Sequence, residues 1–114
     1  MASSPDRLTP LRRDLLRIDP VEEILVNKLT TVLSRGEERD LVDLFLLEKS
    51  GHRIESALPA ALAKDAGCTP AALAWVISEI RIPDGMPLPA GIPAAELQVF
   101  LADVLRRLRR AALP

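Results

Sequence analysis

Apolar positions along this chain recur three and four residues apart, the spacing of one helical face, in several separate stretches. Val21, Leu25, Leu29, Val32 and Leu33 keep that spacing after Asp19-Pro20, a cap-and-proline start with Glu22 at the third position of a capping box. The spacing predicts a helix over 20–35, closed by Gly36. A second helix is predicted over 37–49. Glu37 and Glu38 suit its positive end, Gly51 stops it, and Leu41, Leu44, Phe45 and Leu47 or Glu48 form its inner face. Joined through one glycine, the two should pack as a tight antiparallel or steeply crossed pair.

A weaker periodicity over 54–66 predicts a third helix, breakable at Pro59 and stopped by Gly67. Thr69-Pro70 repeats the start signal and opens a fourth helix to about Arg81. Pro83 to Pro93 holds four prolines and two glycines and reads as a loop with polyproline character. The last helix, from Ala94 to Ala112, carries a stripe of Leu97, Phe100, Leu101, Val104, Leu105 and Leu108. Upstream of Asp19 two readings stay open: a short helix from Thr9-Pro10 through Leu16, or a strand end over Leu15 to Ile18. The pattern therefore predicts an all-α fold of about five helices in a compact bundle, with a short strand before the first long helix as the open variant. The helical domain covers 19–114, and 1–18 is a partly disordered segment or strand remnant.

Composition sharpens this picture. Hydrophobic residues make up 48% of 114, too many for a disordered chain, and much of that share is Leu and Ala. Phe45, Trp75 and Phe100 are the only aromatic residues, which favours helix over sheet. With 15 basic and 16 acidic residues, the net charge is −1, which argues against a bulk electrostatic grip on nucleic acid. Cys68 and His52 each stand alone, which excludes an internal disulfide, a cysteine zinc site and a His-His metal pair. The start MASSPDRLTP has no apolar signal region, and the longest apolar run, Ala71 to Ile77, is far too short to span a bilayer. A cytoplasmic, soluble protein with no membrane partner is expected.

Candidate chemistry concentrates in the first two helices. Lys28 sits among Leu25, Leu29 and Val32, where side-chain physics puts a snorkelling edge residue first and a phosphate-binding ammonium second. Arg39, Asp40 and Asp43 follow. Asp43 lies between Val42 and Leu44 in a mostly apolar helix, so it should be partnered or functional, with Arg39 or Arg35 as the expected partner. Elsewhere the plain readings come first. His52 caps a helix end, Cys68 fills a turn, and Trp75 belongs to core or interface. Arg106, Arg107, Arg109 and Arg110 complement a helix dipole, with a docking surface for RNA or an acidic partner as the alternative. No Asp-x-Asp, Gly-Ser turn or phosphate-binding glycine loop is present. The only acidic pair two apart, Glu38-Arg39-Asp40, falls in a predicted helix, where its carboxylates point about 200° apart.

The run Asp19-Pro-Val-Glu-Glu-Ile-Leu-Val-Asn-Lys-Leu, then Ser34-Arg35-Gly36, then Arg39-Asp-Leu-Val-Asp-Leu, resembles the AbiEii/AbiGii nucleotidyltransferase toxins of the polymerase-β-like superfamily. The likeness is specific over about 19–48. It is looser over 57–114, through the Lys64 to Pro70 turn and the arginine-rich last helix. It implies a toxin–antitoxin or phage abortive-infection role, with nucleotides moved from a nucleoside triphosphate to an RNA (tRNA) or protein acceptor. It assigns nucleotide binding to Lys28, Arg35 and Arg39, and catalytic roles to Asp43 and Asp40. It also implies Mg2+ and NTP, held with a sheet-bearing half whose Asp-x-Asp has no counterpart here. The expected partners are that missing N-terminal half or a cognate antitoxin, with no metal ligand in this chain and no activity alone. A second expectation, of a different class, is a non-catalytic helical module that binds an antitoxin or self-associates through bare apolar surface.

Overall fold

The computed structural model describes residues 20–114. Five α-helices follow one another there: α1 (Pro20–Ser34), α2 (Glu38–Lys49), α3 (Ile54–Lys64), α4 (Pro70–Ser78) and α5 (Ala94–Ala111), with a 3-10 turn at Pro89–Gly91 before the last. No strand occurs among the described residues, so the all-α class holds. The strand-or-helix choice upstream, the Asp19 cap and the 1–18 segment lie outside the described residues.

α1 is the hub. It packs on α2, α3 and α4, while α5 lies mainly along α4 and also touches α2 and α3. Leu25, Leu29 and Val32 of α1 are wholly buried and meet Leu41 and Leu44 of α2 in one core. Each such leucine contributes roughly 1.5–3 kcal/mol by leaving water. Leu97, Val104 and Leu108 form the buried seam of α5.

Two helix ends differ from the sequence expectation. α3 stops at Lys64 because Asp65 turns extended (φ −142°, ψ 109°) and its carboxylate and carbonyl take the N–H groups of Gly67 and Cys68. Before that point Pro59 does not break it. Its ring lies on the exposed side, while Ala57, Leu58 and Ala61 around it are buried, so packing holds the turn that lacks one hydrogen bond. α4 stops at Ser78 rather than near Arg81. The chain leaves the helix to bury Ile80 and Ile82, and Pro83 disfavours helix at the residue before it. Gln98 then pins this loop to α5, donating to the Ile82 carbonyl at 2.7 Å and to Asp84 at 2.9 Å.

Of the two expectations for Trp75, core or interface, the first does not hold. Trp75 is 68% exposed on the outer side of α4. Cys68 fills the interior as expected, wholly buried, and burial pushes its thiol up from the usual range.

Candidate functional site

The turn between α1 and α2 positions the site. Gly36 has φ +61°, a left-handed conformation, and a Cβ there would stand 2.7 Å from Val76 Cγ1. Only glycine lets the turn seat against α4, and this closeness fixes how α2 leaves α1. Glu37 caps α2, and its N–H donates to Asp40 Oδ2 at 3.0 Å, one half of a capping box.

Asp40 is the centre. Its side chain has no exposed surface. Arg35 grips it with a two-pronged fork: Nε donates to Oδ2 at 3.1 Å, and Nη2 donates to Oδ1. Lys28 Nζ reaches Oδ1 at 3.3 Å across the helix pair. Burial alone would raise this carboxyl. Arg35, the Glu37 N–H and Lys28 outweigh that and hold it at about 2, so Asp40 is a carboxylate at any physiological pH.

Lys28 Nζ also lies 2.8 Å from Asp43 Oδ2. Burial works against its charge, but Asp43 and Asp40 more than compensate and raise its pKa. Lys28 is 18% exposed and Asp43 50% exposed, so this pair marks the solvent edge of the cluster. An ammonium has three donors, and Asp40 and Asp43 take two. The neighbouring Arg39 bonds to Glu37 Oε1 at 2.7 Å, and Glu37 lies 3.8 Å from Arg35.

The five residues picked from sequence thus fall into one ion-pair network, running Arg39, Glu37, Arg35, Asp40, Lys28, Asp43. One detail of the reading is corrected. Asp43 is partnered as expected, but by Lys28 on the other helix, not by Arg39 or Arg35. The wholly buried carboxylate is Asp40: Asp43 looks outward, while Asp40 one turn earlier joins Leu41 and Leu44 inside. Three cations and three carboxylates leave the network electrically neutral. Among the described residues no group of three or more His, Cys, Asp or Glu side chains is disposed to hold a metal ion.

A second network went unread in the sequence. Arg107 of α5, only 10% exposed, donates to Glu48 of α2 (Nη1 to Oε1, 2.9 Å) and to Glu55 of α3 (Nε to Oε2, 2.8 Å). It also donates to Asp103 one turn before it, at 3.0 Å. These partners hold the guanidinium charged, and Glu55 is held at about 2, chiefly by Arg107. Arg107 is therefore a clasp between three helices and not a dipole complement. The signal was present: position 107 follows Val104 by three and Phe100 by seven, which places it on the buried stripe. The His52 ring lies 3.3 Å from Ser50 Oγ and bonds no helix carbonyl among the described residues, while its backbone N–H donates to the Leu47 carbonyl at 3.4 Å.

The chain matches no family model, no curated protein and no solved structure. Among the described residues, no helix is long and apolar enough to cross a membrane.

Proposed function

We propose that this chain is the helical part of an AbiEii-type nucleotidyltransferase toxin, working in the cytoplasm on an RNA or protein acceptor. The observation that carries the reading is the Lys28–Asp43 pair, 2.8 Å apart at the solvent edge of two helices and seated on a buried, fork-bound Asp40. The motif likeness assigns those two residues to the reaction, and the fold brings them together from separate helices. Such a base restrains both heads in advance, which is what positioning chemistry requires.

In this reading Asp40 and Asp43 hold the ammonium of Lys28 in place, and its third N–H serves a phosphate oxygen of the triphosphate. The exposed part of the Asp43 carboxylate orients the acceptor's hydroxyl or a basic side chain. Arg35 and Arg39 keep the network rigid. Mg2+ does not fit the donor set of this chain. Asp40 is spent on Arg35, Lys28 and the Glu37 N–H, and among the described residues no third carboxylate faces the same point. Metal binding therefore belongs to a second polypeptide, and no step is assigned to a metal here.

Transfer of label from a nucleoside triphosphate tests this, with and without a polypeptide that carries the Asp-x-Asp half. Transfer should need both chains. It should fall at least about 100-fold in Asp43→Ala, with helix content unchanged by circular dichroism. Undiminished transfer by the variant removes Asp43 from the site.

A second reading is a non-catalytic interaction module that binds an antitoxin or a second copy of itself. Surface apolar side chains favour it: Trp75 at 68%, Val99 at 70% and Ile24 at 54% exposure. Trp75 lines a cavity of about 280 Å³ with Ala71, Ala74 and Arg109, and tryptophans so placed often anchor interfaces. Light scattering at high concentration should show association that Trp75→Ala abolishes. A monomer at every concentration counts against the self-association form.

A further inference from the structure

Where the last turn of α5 meets the start of α3 there is a hollow of about 380 Å³, lined by Arg53, Glu55, Asp103, Arg106, Arg107 and Arg110. Four guanidinium groups face two carboxylates there, a surplus of two positive charges. Glu48, bonded to Arg107 from outside the hollow, lowers the surplus to one. The local balance is thus opposite in sign to the chain's net −1.

Arg107 is consumed by its three carboxylate partners and forms a fixed floor. The other three arginines are differently placed. The Arg110 side chain makes no hydrogen bond or ion pair among the described residues, its carbonyl alone accepting from the helix end. Arg53 reaches Glu55 only at 3.4 Å and is 65% exposed, and Arg106 is 63% exposed beside Asp103.

Helix-end electrostatics accounts for part of this arrangement only. Arg106 and Arg110 lie near the negative end of α5, where cations are stabilised. Arg53 is the N-cap of α3, and a cation at a helix's positive end is electrostatically unfavourable. Its pair with Glu55 offsets part of that cost, and Glu48 Oε2 already takes the Ile54 N–H at this helix end at 2.8 Å. An anion in the hollow would meet the guanidinium groups of Arg53, Arg106 and Arg110 together.

We propose that this hollow binds a phosphate dianion, inorganic or carried by a small molecule, gripped by Arg53, Arg106 and Arg110. Guanidinium forks match phosphate oxygens in pairs. A dianion draws more from the local surplus than a single carboxylate. A hollow of this volume suits one phosphate group and is too small for an extended nucleic-acid backbone. The site is separate from the α1–α2 network and stands whether or not that network serves nucleotidyl transfer.

The test is NMR titration of the full chain with inorganic phosphate, at ionic strength held constant with chloride. Parallel arms use acetate, glycerol phosphate and an oligoribonucleotide. Saturable shifts should centre on the amides around Arg53 and Arg110. The double variant Arg53→Gln/Arg110→Gln should bind at least about tenfold more weakly, as loss of hydrogen bonds to a charged group implies. Its thermal midpoint should stay unchanged, because neither side chain holds the core. Tighter binding of glycerol phosphate identifies a small phosphorylated ligand, and tighter binding of inorganic phosphate identifies the free ion. An unsaturable response, equal response to acetate, unchanged affinity in the variant, or affinity that grows with oligonucleotide length overturns the proposal.

Discussion

The two charge networks of this fold use the same residue types in opposite ways. Around Asp40, one buried carboxylate is surrounded by cations that reach it from 5 and 12 residues away. Around Arg107, one enclosed cation is surrounded by carboxylates, two of them 52 and 59 residues away. The first is local, opens to water at Lys28 and Asp43, and leaves one ammonium donor unused. The second is long-range and uses the head of its cation fully. A network that keeps a spare donor at its rim can serve a ligand, whereas one that spends everything inward fastens helices. Proximity of charges alone does not distinguish these roles; whether a cation keeps a donor to spare does.

Four experiments would break or sharpen this contrast. The largest effect should come from Arg107→Met, which fills the same space but leaves Glu48, Glu55 and Asp103 without their shared cation. Removing one side of a buried ionic cluster costs about 3 kcal/mol, measured as a lower urea midpoint. Asp40→Asn should follow at about 2 kcal/mol, because Lys28, Arg35 and the Glu37 N–H lose a charged acceptor while the amide still fits. If Asp40→Asn proved the costlier, the local network would be the main fastening and the contrast would reverse.

Acid should act on both networks. Asp40 and Glu55 have ordinary values of 3.8 and 4.5, and both are held at about 2 in the fold. Carboxylates depressed on folding contribute stability above their unfolded pKa and lose it as pH falls through the folded one. The thermal midpoint should therefore be insensitive to these groups between about pH 5 and 7 and fall between about pH 4 and 2. In Arg107→Met the part of that fall due to Glu55 should shrink, since Arg107 is its chief cause, while the part due to Asp40 remains. An unchanged acid profile in the variant would separate Glu55 from Arg107. The smallest effect on stability should be that of Asp43→Ala, under about 1 kcal/mol, because half of that side chain is already in water. A large loss of stability there would make the pair structural and weaken the case for a ligand.

The local parts of this fold were legible because short-range rules decide them. Periodicity placed all five described helices, Thr69 caps α4 by accepting from the Ala72 N–H at 3.1 Å, and Gly36 turns left-handed where a stop was expected. Lys28 and Asp43 could be brought together in thought because one tight turn separates their helices. What depended on packing was not legible. Pro59 should weaken α3 by its own chemistry, and only the burial of its neighbours overrides that. Which of Asp40 and Asp43 faces inward turns on the angle at which α2 rolls onto α1, one turn of helix either way. The partners of Arg107 lie on two other helices, and no local rule could have named them.

The clasp on α5 also has a consequence for synthesis. A chain leaves the ribosome with its N-terminal part first, so α2 and α3 emerge before the residue that neutralises Glu48 and Glu55. Until the final helix follows, those two acids face one another with no guanidinium between them. A chain ending just short of residue 107 would leave Glu48 and Glu55 without the cation that joins them.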